Sequence, residues 1–265
     1  MVLRKTVLFS ILVLFFLVAL SIPSSAQSEG QLILQTGIQS FYNREPAFSP
    51  LIYSGERSLS TIAFSLKKLN RSDVFHINFG YGRTFNKFGG SMENLSAGLL
   101  TMTYYHKNKS AEKGLHWGWS NLNGFNWRSH NGFPNYSLRT DYFTAFGPAL
   151  RHLLPFQWKK QQFQWTNNAY IHGVGFKIQS DFIGGEPRGF TQEDRNLVTK
   201  IWSSSDWFLL GKDWSMGYWS TLCWQLPSDN SLGFQYRLQL ARVDGWQPVS
   251  RVASTYLLVL NVNLW

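Results

Sequence analysis

Charged side chains are scarce in this sequence. Aspartate, glutamate, lysine and arginine make up 15% of its 265 residues, against about 25% in an average globular protein. A water-soluble domain normally carries more charge on its surface, so this scarcity favours a membrane location. The mean hydropathy is nevertheless negative, at −0.19. That value excludes a bundle of membrane helices and is compatible with a membrane-spanning barrel that has a polar lumen.

Cysteine is almost absent. The single residue, Cys223, excludes an intrachain disulfide and any cysteine-rich zinc site. The six histidines form no HExxH pair and no close group of ligands. The serine-hydrolase motif GxSxG is missing as well. The sequence therefore predicts no metal, no cofactor and no catalytic residue.

Long apolar runs are missing except at the amino terminus. Arg4 and Lys5 precede the apolar run Val7–Leu20, and the small residues Ser24-Ser25-Ala26 follow a proline. This layout predicts a secretory signal peptide, residues 1–26, that is cleaved. The remainder, residues 27–265, is predicted to form one domain, which can cross a membrane only with strands because no apolar run is long enough for a helix.

Alternation of polar and apolar residues marks the clearest hairpin of the chain. In Trp214–Leu226 one parity carries mainly aromatic and aliphatic residues, and the pattern resumes after the turn Pro227–Asn230. Successive side chains of a strand point to opposite faces, so this hairpin has one apolar and one polar face. Both runs are long enough for tilted strands that cross a bilayer, which need about 9–11 residues. A soluble β-sandwich would show the same alternation and remains the alternative.

Strand-like stretches with short connections continue through the whole domain, and none shows sustained helical periodicity. Residues 27–56 are expected to give a weak first strand, Gln31–Tyr42, and a loop, Asn43–Gly55. Leu197–Leu210 is expected to be a strand that a tight turn, Gly211–Asp213, joins to the next strand. This turn is expected at the opposite end from the long loop Ser180–Asn196. We predict 12 strands, with 10 as the alternative, because single-chain bacterial barrels have an even number.

The carboxyl terminus carries the most specific motif. Tyr256–Trp265 alternates apolar residues with others and ends on an aromatic residue. Together with the signal peptide, this ending resembles the outer-membrane β-barrel proteins of Gram-negative bacteria, whose last strand commonly ends in an aromatic residue that the assembly machinery reads. The sequence departs from that family in one respect, because Asn261 and Asn263, rather than the apolar series, are in phase with Trp265.

This resemblance implies a fold, a location and two partners. The fold is all-β, a single closed antiparallel transmembrane β-barrel with almost no helix. The location is the cell outer membrane, which the chain reaches by export. The implied partners are outer-membrane lipid and the barrel assembly machinery, which would recognise the C-terminal strand. A net positive charge can attract nucleic acid. Because an exported chain meets lipid head groups and solutes first, we nevertheless predict no nucleic-acid partner.

Strand parity predicts which side chains line the lumen. Six candidates lie on polar faces: Lys67, His76, Arg83, Lys177, Trp219 and Arg237. A lumen lined by cations would favour anionic solutes. In the alternative interpretation these cations pair with lumenal carboxylates, for which Asp73, Asp141 and Asp206 are available.

Three functions fit this sequence. The first is a narrow pore or transporter, porin-like in fold, for small anionic or amphipathic solutes, because 10–12 strands leave little room for an open channel. The second is a barrel without transport activity that anchors or binds at the surface through Ser180–Asn196. The third is a lipid-modifying enzyme, which needs a nucleophile beside a base; Ser65, His76 and Asn78 are the candidates for neighbouring positions. The sequence does not identify the solute or partner.

Overall fold

The computed structural model describes residues 29–46, 48–68, 70–106, 113–132, 138–179, 196–245 and 248–264. The predicted signal peptide and Trp265 lie outside these residues. The described chain forms twelve strands and one short helix. In chain order these are β1 Glu29–Arg44, β2 Ile52–Lys68, β3 Arg71–Phe85, β4 Ser91–Tyr105, β5 Gly114–His130, β6 Leu138–Trp158, β7 Gln161–His172, β8 Val174–Gln179, α1 Leu197–Ser203, β9 Ser205–Leu209, β10 Trp214–Gln225, β11 Ser231–Val243 and β12 Val249–Asn263.

Ten of these strands close into an antiparallel barrel, and β8 and β9 are hydrogen-bonded outside the closed ring. The first and last strands pair along their whole length, from Gln31 with Asn263 to Arg44 with Ser250. The pairing of β5 with β6 completes the ring. The prediction of an all-β closed barrel is confirmed. Twelve is the total number of strands, and ten, the predicted alternative, is the number in the closed ring.

Strands β8 and β9 continue two barrel strands beyond an interruption. The long strand β6 pairs with β7 from Ala149 to Trp158 and with β8 from Asp141 to Phe146. Strand β10 pairs with β7, and β9 pairs with β8. The two strands thus extend the wall on one side, and Gly173 separates β7 from β8.

Two predictions about this region are wrong. Gly211–Asp213 was predicted as a turn at the end of the barrel opposite the long loops. It instead interrupts the wall between β9 and β10, where Asp213 accepts a hydrogen bond from the backbone N–H of Asp244 (2.6 Å). Leu197–Leu210 is not one strand, because it begins with helix α1. The side chain of Asn196 caps this helix by accepting from the backbone N–H of Thr199 (2.9 Å). No helix in the described residues is long and apolar enough to cross a membrane.

The two ends of the barrel differ. The start of β1 at Glu29 and the end of β12 at Asn263 lie at one end, which we call the termini end, together with the strand ends that flank residues 69–70, 106–113, 159–160 and 226–230. The opposite end, which we call the loop end, carries the strand ends that flank residues 45–51, 86–90, 131–137, 180–204 and 244–248. The loop predicted over Asn43–Gly55 is shorter than expected, because β2 already pairs with Arg44 at Ile52.

Burial alternates along the strands with a period of two. The outer face exposes a large apolar side chain on each barrel strand, while the inner face is buried and mainly polar. The outer side chains include Ile38, Ile62, Phe79, Tyr105, Trp119, Leu150, Ile171, Leu222, Phe234 and Leu258. The polarity is therefore the reverse of a water-soluble protein, with apolar residues outside and polar residues inside.

Candidate functional site

Four of the six predicted lumen residues are buried on the inner face: His76, Lys177, Trp219 and Arg237. Lys67 is also on the inner face, but it lies at the termini end, where it pairs with Glu29 (3.1 Å) and borders a large cavity. These five residues therefore lie at three heights of the lumen. Lys67 lies at the termini end and Lys177 at the loop end, while the other three lie in the middle.

The structure corrects the prediction for Arg83. This residue lies on the outer face of β3, where its side chain is 52% exposed and pairs with Glu93 (2.5 Å). Tyr81 and Phe85, which share its parity, are exposed as well. His76 is separated from Arg83 by an odd number of positions, so an uninterrupted strand cannot direct both side chains inward.

Arg237 lies in the middle of the lumen and is held only by neutral groups. Its guanidinium donates to the side-chain oxygens of Gln35 (3.0 Å), Asn78 (3.0 Å) and Gln235 (3.1 Å). It also lies over the indole of Trp219, at 5.2 Å from the ring centroid. The bond to Asn78 crosses the lumen from β11 to β3.

Two further arginines of the inner face lack a carboxylate partner. Arg57 donates to Gln39 and lies over the ring of Phe41, at 4.1 Å from its centroid. Arg151 donates to Ser72 (3.2 Å) and lies over the ring of Tyr104, at 5.0 Å. Neither these two arginines nor Arg237 forms an ion pair with an acidic side chain of the described chain. Burial of a cation without its counter-charge costs stability.

The cations follow one another along the lumen. In the strand register Arg151 lies opposite His116 towards the termini end, Arg237 lies opposite Trp219 in the middle, and Arg57 lies opposite Gln39 towards the loop end. A series of positive groups therefore runs from the termini end through the middle to the loop end. Lys177 is not part of this series, because it is neutralised by Asp213 (2.7 Å) rather than by Asp206, which was available in the sequence.

At the loop end a set of ion pairs closes the lumen. We call this the loop-end cluster: Glu45, Arg128, Arg139, Asp141 and Arg251. Glu45 is fully buried and contacts Arg128 (2.5 Å) and Arg139 (3.2 Å). Asp141 pairs with Arg128 and with Arg251 (3.1 Å). Three cations and two carboxylates leave this cluster with one excess positive charge.

The connection that carries Glu45 is also packed against the barrel. Phe48 is 5% exposed and stacks on the ring of His130 at 5.8 Å. The hydroxyl of Tyr53 is hydrogen-bonded to the Nε2 atom of His130 (2.6 Å). The described part of the β1–β2 connection therefore folds into the loop end and covers it.

Apolar side chains fill the middle of the lumen. We call them the central cluster: Val74, Leu100, Met102, Tyr104, Ala149, Tyr170 and Trp219. A hydrogen bond from Tyr104 on β4 to Asn168 on β7 (3.1 Å) crosses the lumen at this level. The central cluster and the loop-end cluster thus form two barriers in series.

Beyond the central cluster the lumen opens into a cavity of about 940 Å³ at the termini end, which we call the vestibule. Its lining includes Lys67, Tyr104, His106, His116 and Arg151, together with five glutamines, Gln31, Gln157, Gln162, Gln164 and Gln225. The His116 Nε2 and Arg151 Nε atoms have no hydrogen-bond partner in the described structure. The vestibule is therefore the part of the lumen that a solute can enter.

The arrangement offers little for hydrolytic catalysis. No hydrogen bond joins His76 to Ser65 among the described residues, since His76 packs on Trp219 and Ser65 borders the vestibule. The sequence did not single out a second serine–histidine pair, Ser120 with His172 (2.9 Å). Both residues are buried, and the Nδ1 atom of His172 has no partner that could orient it. The serine hydroxyl is also within bonding distance of the carbonyl of Gly147 (3.2 Å), so we assign this pair a structural role.

Sequence reasoning missed Glu45, Arg57 and Arg151. The signal for Arg151 was present, because it shares its parity with Asp141 on β6. Arg57 was missed because its strand begins at Ile52, inside the predicted loop Asn43–Gly55. Glu45 follows the first strand in what reads as a loop, and only the folded chain shows that it points into the lumen.

Comparison with known proteins identifies no family for this chain. No protein-family model and no curated protein sequence matches the chain. Among solved structures, it is similar to the translocator domain of the autotransporter NalP from Neisseria meningitidis, with 8% identity, a TM-score of 0.37 and coverage of 93% of this chain and 91% of that one. It is also similar to the toluene transporter TbuX of Ralstonia pickettii, with 10% identity, a TM-score of 0.32 and coverage of 89% and 90%.

At such identities and TM-scores the similarity transfers no function. The predicted closed antiparallel β-barrel is confirmed by the strand pairing of this chain itself. The fold and its lumen define a closed ten-stranded β-barrel whose interior is cationic and blocked in two places.

Proposed function

We propose that this protein is an integral β-barrel of the bacterial outer membrane that admits small anionic solutes to its lumen and passes them when its barriers open. The observation that carries this proposal is the series of inward arginines, Arg151, Arg237 and Arg57, none of which has a carboxylate partner in the described structure. Ionisable groups inside a membrane protein are costly and usually mark a solute pathway.

The outer face supports the membrane location. Large apolar side chains are exposed on all ten barrel strands, among them Ile38, Trp119 and Leu258 with 57%, 57% and 64% exposure. A soluble monomer rarely exposes a continuous apolar surface of this extent, because contact with water is unfavourable. Lipid removes that cost, and closure of the barrel satisfies the backbone groups that lipid cannot bond.

The interior supports selectivity for anions. Rings of arginine or lysine favour anions in pores, because their field lowers the energy of a negative solute in a narrow lumen. A ten-stranded barrel is between the eight strands that side chains fill and the roughly sixteen that leave an aqueous channel. Passage through this lumen therefore requires movement of the central cluster and of the connection that carries Glu45.

Conductance in planar lipid bilayers tests the proposal. The variant Glu45→Gln weakens the ion pairs with Arg128 and Arg139, and we expect it to raise the open probability at least tenfold over the wild-type protein. Under a potassium chloride gradient its reversal potential should show preference for chloride. Replacing both Arg57 and Arg237 by glutamine in that variant should abolish this preference, while Arg83→Gln on the outer face should leave it unchanged.

A specific observation favours a second function. Because side chains bridge the lumen at two levels, the barrel also fits a membrane protein without transport activity that binds partners at its surface. The loop Ser180–Asn196, on which that function depends, lies outside the described residues except for Asn196. If neither the wild-type protein nor Glu45→Gln conducts ions, transport is excluded and surface binding becomes the better explanation.

A further inference from the structure

The inner wall of the vestibule carries unused hydrogen-bond donors beside a fixed cation. Arg151 lies where the vestibule meets the central cluster. Its Cζ atom lies over the ring of Tyr104, at 5.0 Å from the centroid, and its guanidinium donates to Ser72 (3.2 Å). This leaves its Nε atom without a partner in the described structure. A guanidinium stacked on an aromatic ring presents its remaining N–H groups in a fixed plane, which suits bidentate contact with carboxylate or phosphate.

Two histidines complete this region. His116 lines the vestibule and is 4% exposed, and its Nε2 atom has no partner among the described residues. The ring of His106 lies edge to face with it at 5.6 Å, and its Nδ1 atom is unpartnered as well. Buried polar atoms are almost always hydrogen-bonded in folded proteins, so several unpartnered atoms at one cavity favour a binding site for a polar ligand.

The outer part of the vestibule has a different chemistry. Four glutamines, Gln157, Gln162, Gln164 and Gln225, line it without a side-chain hydrogen bond to another described residue. Each carboxamide offers two donors and one acceptor, which is the combination that hydroxyl groups require.

We infer that the vestibule binds a polyhydroxylated anion, such as a sugar acid or a sugar phosphate. The anionic group would contact Arg151 and His116, and the hydroxyl groups would contact the glutamines. The acidic side chains of the lining do not oppose this orientation, because Glu29 is paired with Lys67 (3.1 Å) and Asp229 lies exposed in the β10–β11 turn at the rim. The inference rests on the proposed function only in taking the solute to be an anion.

Calorimetric titration of the detergent-solubilised full chain tests this inference. The detergent must lack a sugar head group, for which an alkyl amine oxide is suitable. The probes are glucuronate, glucose 6-phosphate, glucose, acetate and inorganic phosphate. We expect glucuronate or glucose 6-phosphate to bind at least tenfold more tightly than glucose, acetate and inorganic phosphate; the better of the two identifies carboxylate or phosphate as the anionic group.

Two variants locate the site. Arg151→Gln should weaken binding of the preferred probe at least tenfold. Arg71→Gln is the matched control, because Arg71 lies at the same end of the barrel but pairs with Asp73 (2.8 Å) outside the vestibule, and it should bind as the wild-type protein does. Retention of the compact, heat-modifiable band in gel electrophoresis verifies that each variant is folded.

The remaining outcomes overturn the inference. If no probe binds the wild-type protein, if acetate or inorganic phosphate binds as tightly as the sugars, or if Arg151→Gln has no effect, the vestibule is no site for this class of ligand. Failure of the proposed transport gives a different result. Binding without conductance would leave the inference intact and remove transport, whereas chloride-selective conductance without binding would do the reverse.

Discussion

Glu45 Oε2 lies 2.5 Å from the Nε atom of Arg128, a residue 83 positions further along the chain. The contact crosses the mouth of the barrel, because Glu45 directly follows β1 whereas Arg128 belongs to β5. Both side chains are buried, with 0% and 2% exposure. A single carboxylate thus holds the β1–β2 connection inside the loop end and compensates the charge of the arginines there.

Removal of this carboxylate should destabilise the barrel strongly. Glu45→Gln leaves Arg128 and Arg139 buried with fewer counter-charges, and breaking a buried ion pair costs about 3–5 kcal/mol. We expect a loss of this size in the free energy of unfolding, measured by urea titration of the protein refolded in vesicles. Glu93→Gln removes a carboxylate from the exposed pair with Arg83 and should cost about 1 kcal/mol or less. Equal losses in the two variants would contradict the assigned burial of Glu45.

Trp219 should be the main element of the central barrier. Trp219→Ala removes a large side chain that packs edge to face on His76 and Tyr170, at 5.7 Å from each ring. Large-to-small changes of this kind cost about 3–5 kcal/mol in a core. We expect such a loss in unfolding experiments, together with a higher conductance in the Glu45→Gln background. An unchanged conductance would show that the central cluster does not limit passage.

A side chain at Gly217 should destabilise the barrel. A Cβ atom at this position would lie 2.5 Å from the ring of Tyr170, so Gly217→Ala must displace that ring at a cost of about 1–3 kcal/mol. At Gly98 the nearest atom, a carbonyl oxygen of Asn123, is 3.6 Å from the corresponding position. Gly98→Ala is therefore the control and should fold with nearly wild-type stability. The double variant Tyr170→Ala/Gly217→Ala should be less stable than the wild-type protein. It should be as stable as Tyr170→Ala alone, because the ring that the new Cβ atom would meet is already absent.

The outer face should behave as a lipid-contacting surface. Leu258 lies in the middle of β12 and is 64% exposed, so Leu258→Arg places a charge near the middle of the bilayer at a cost of about 2–4 kcal/mol. Leu115, which is 71% exposed near the start of β5 at the termini end, should accept arginine at a cost of about 0–1 kcal/mol. Unfolding from phospholipid vesicles measures both values. A mature protein that stays dissolved without detergent would refute the membrane location altogether.

The sequence predicted the barrel because the barrel depends on a local pattern. Alternation in Trp214–Leu226 and in Tyr256–Trp265 assigns side chains to two faces without knowledge of any neighbour. Low charge content, negative mean hydropathy and missing apolar helices then leave strands as the only way to cross a membrane. The same parity placed Arg237, His76 and Trp219 on the inner face before any strand pairing was known.

The number of strands was harder to predict from the sequence. Gly173 interrupts a segment that reads as continuous in the sequence, and the parity of inward residues changes across it, from His172 on β7 to Gly175 and Lys177 on β8. Gly211–Asp213 has the composition of a turn yet lies within the wall. Whether such glycines end a strand or only bend it depends on the neighbouring strand, which local composition does not record.

Composition, periodicity and the resemblance of the carboxyl-terminal motif to outer-membrane barrels together predicted a β-barrel with an apolar exterior and a polar interior. Tertiary structure decided which cations form ion pairs. Lys177 pairs with Asp213 and Arg128 with Glu45. Arg151 and Arg237 are hydrogen-bonded only to neutral groups. It also decided that the lumen is closed at two levels and open at the termini end. The physical reason is that parity fixes the direction of a side chain, whereas its partners come from strands that are distant in the sequence and are set by the order and stagger of the closed barrel.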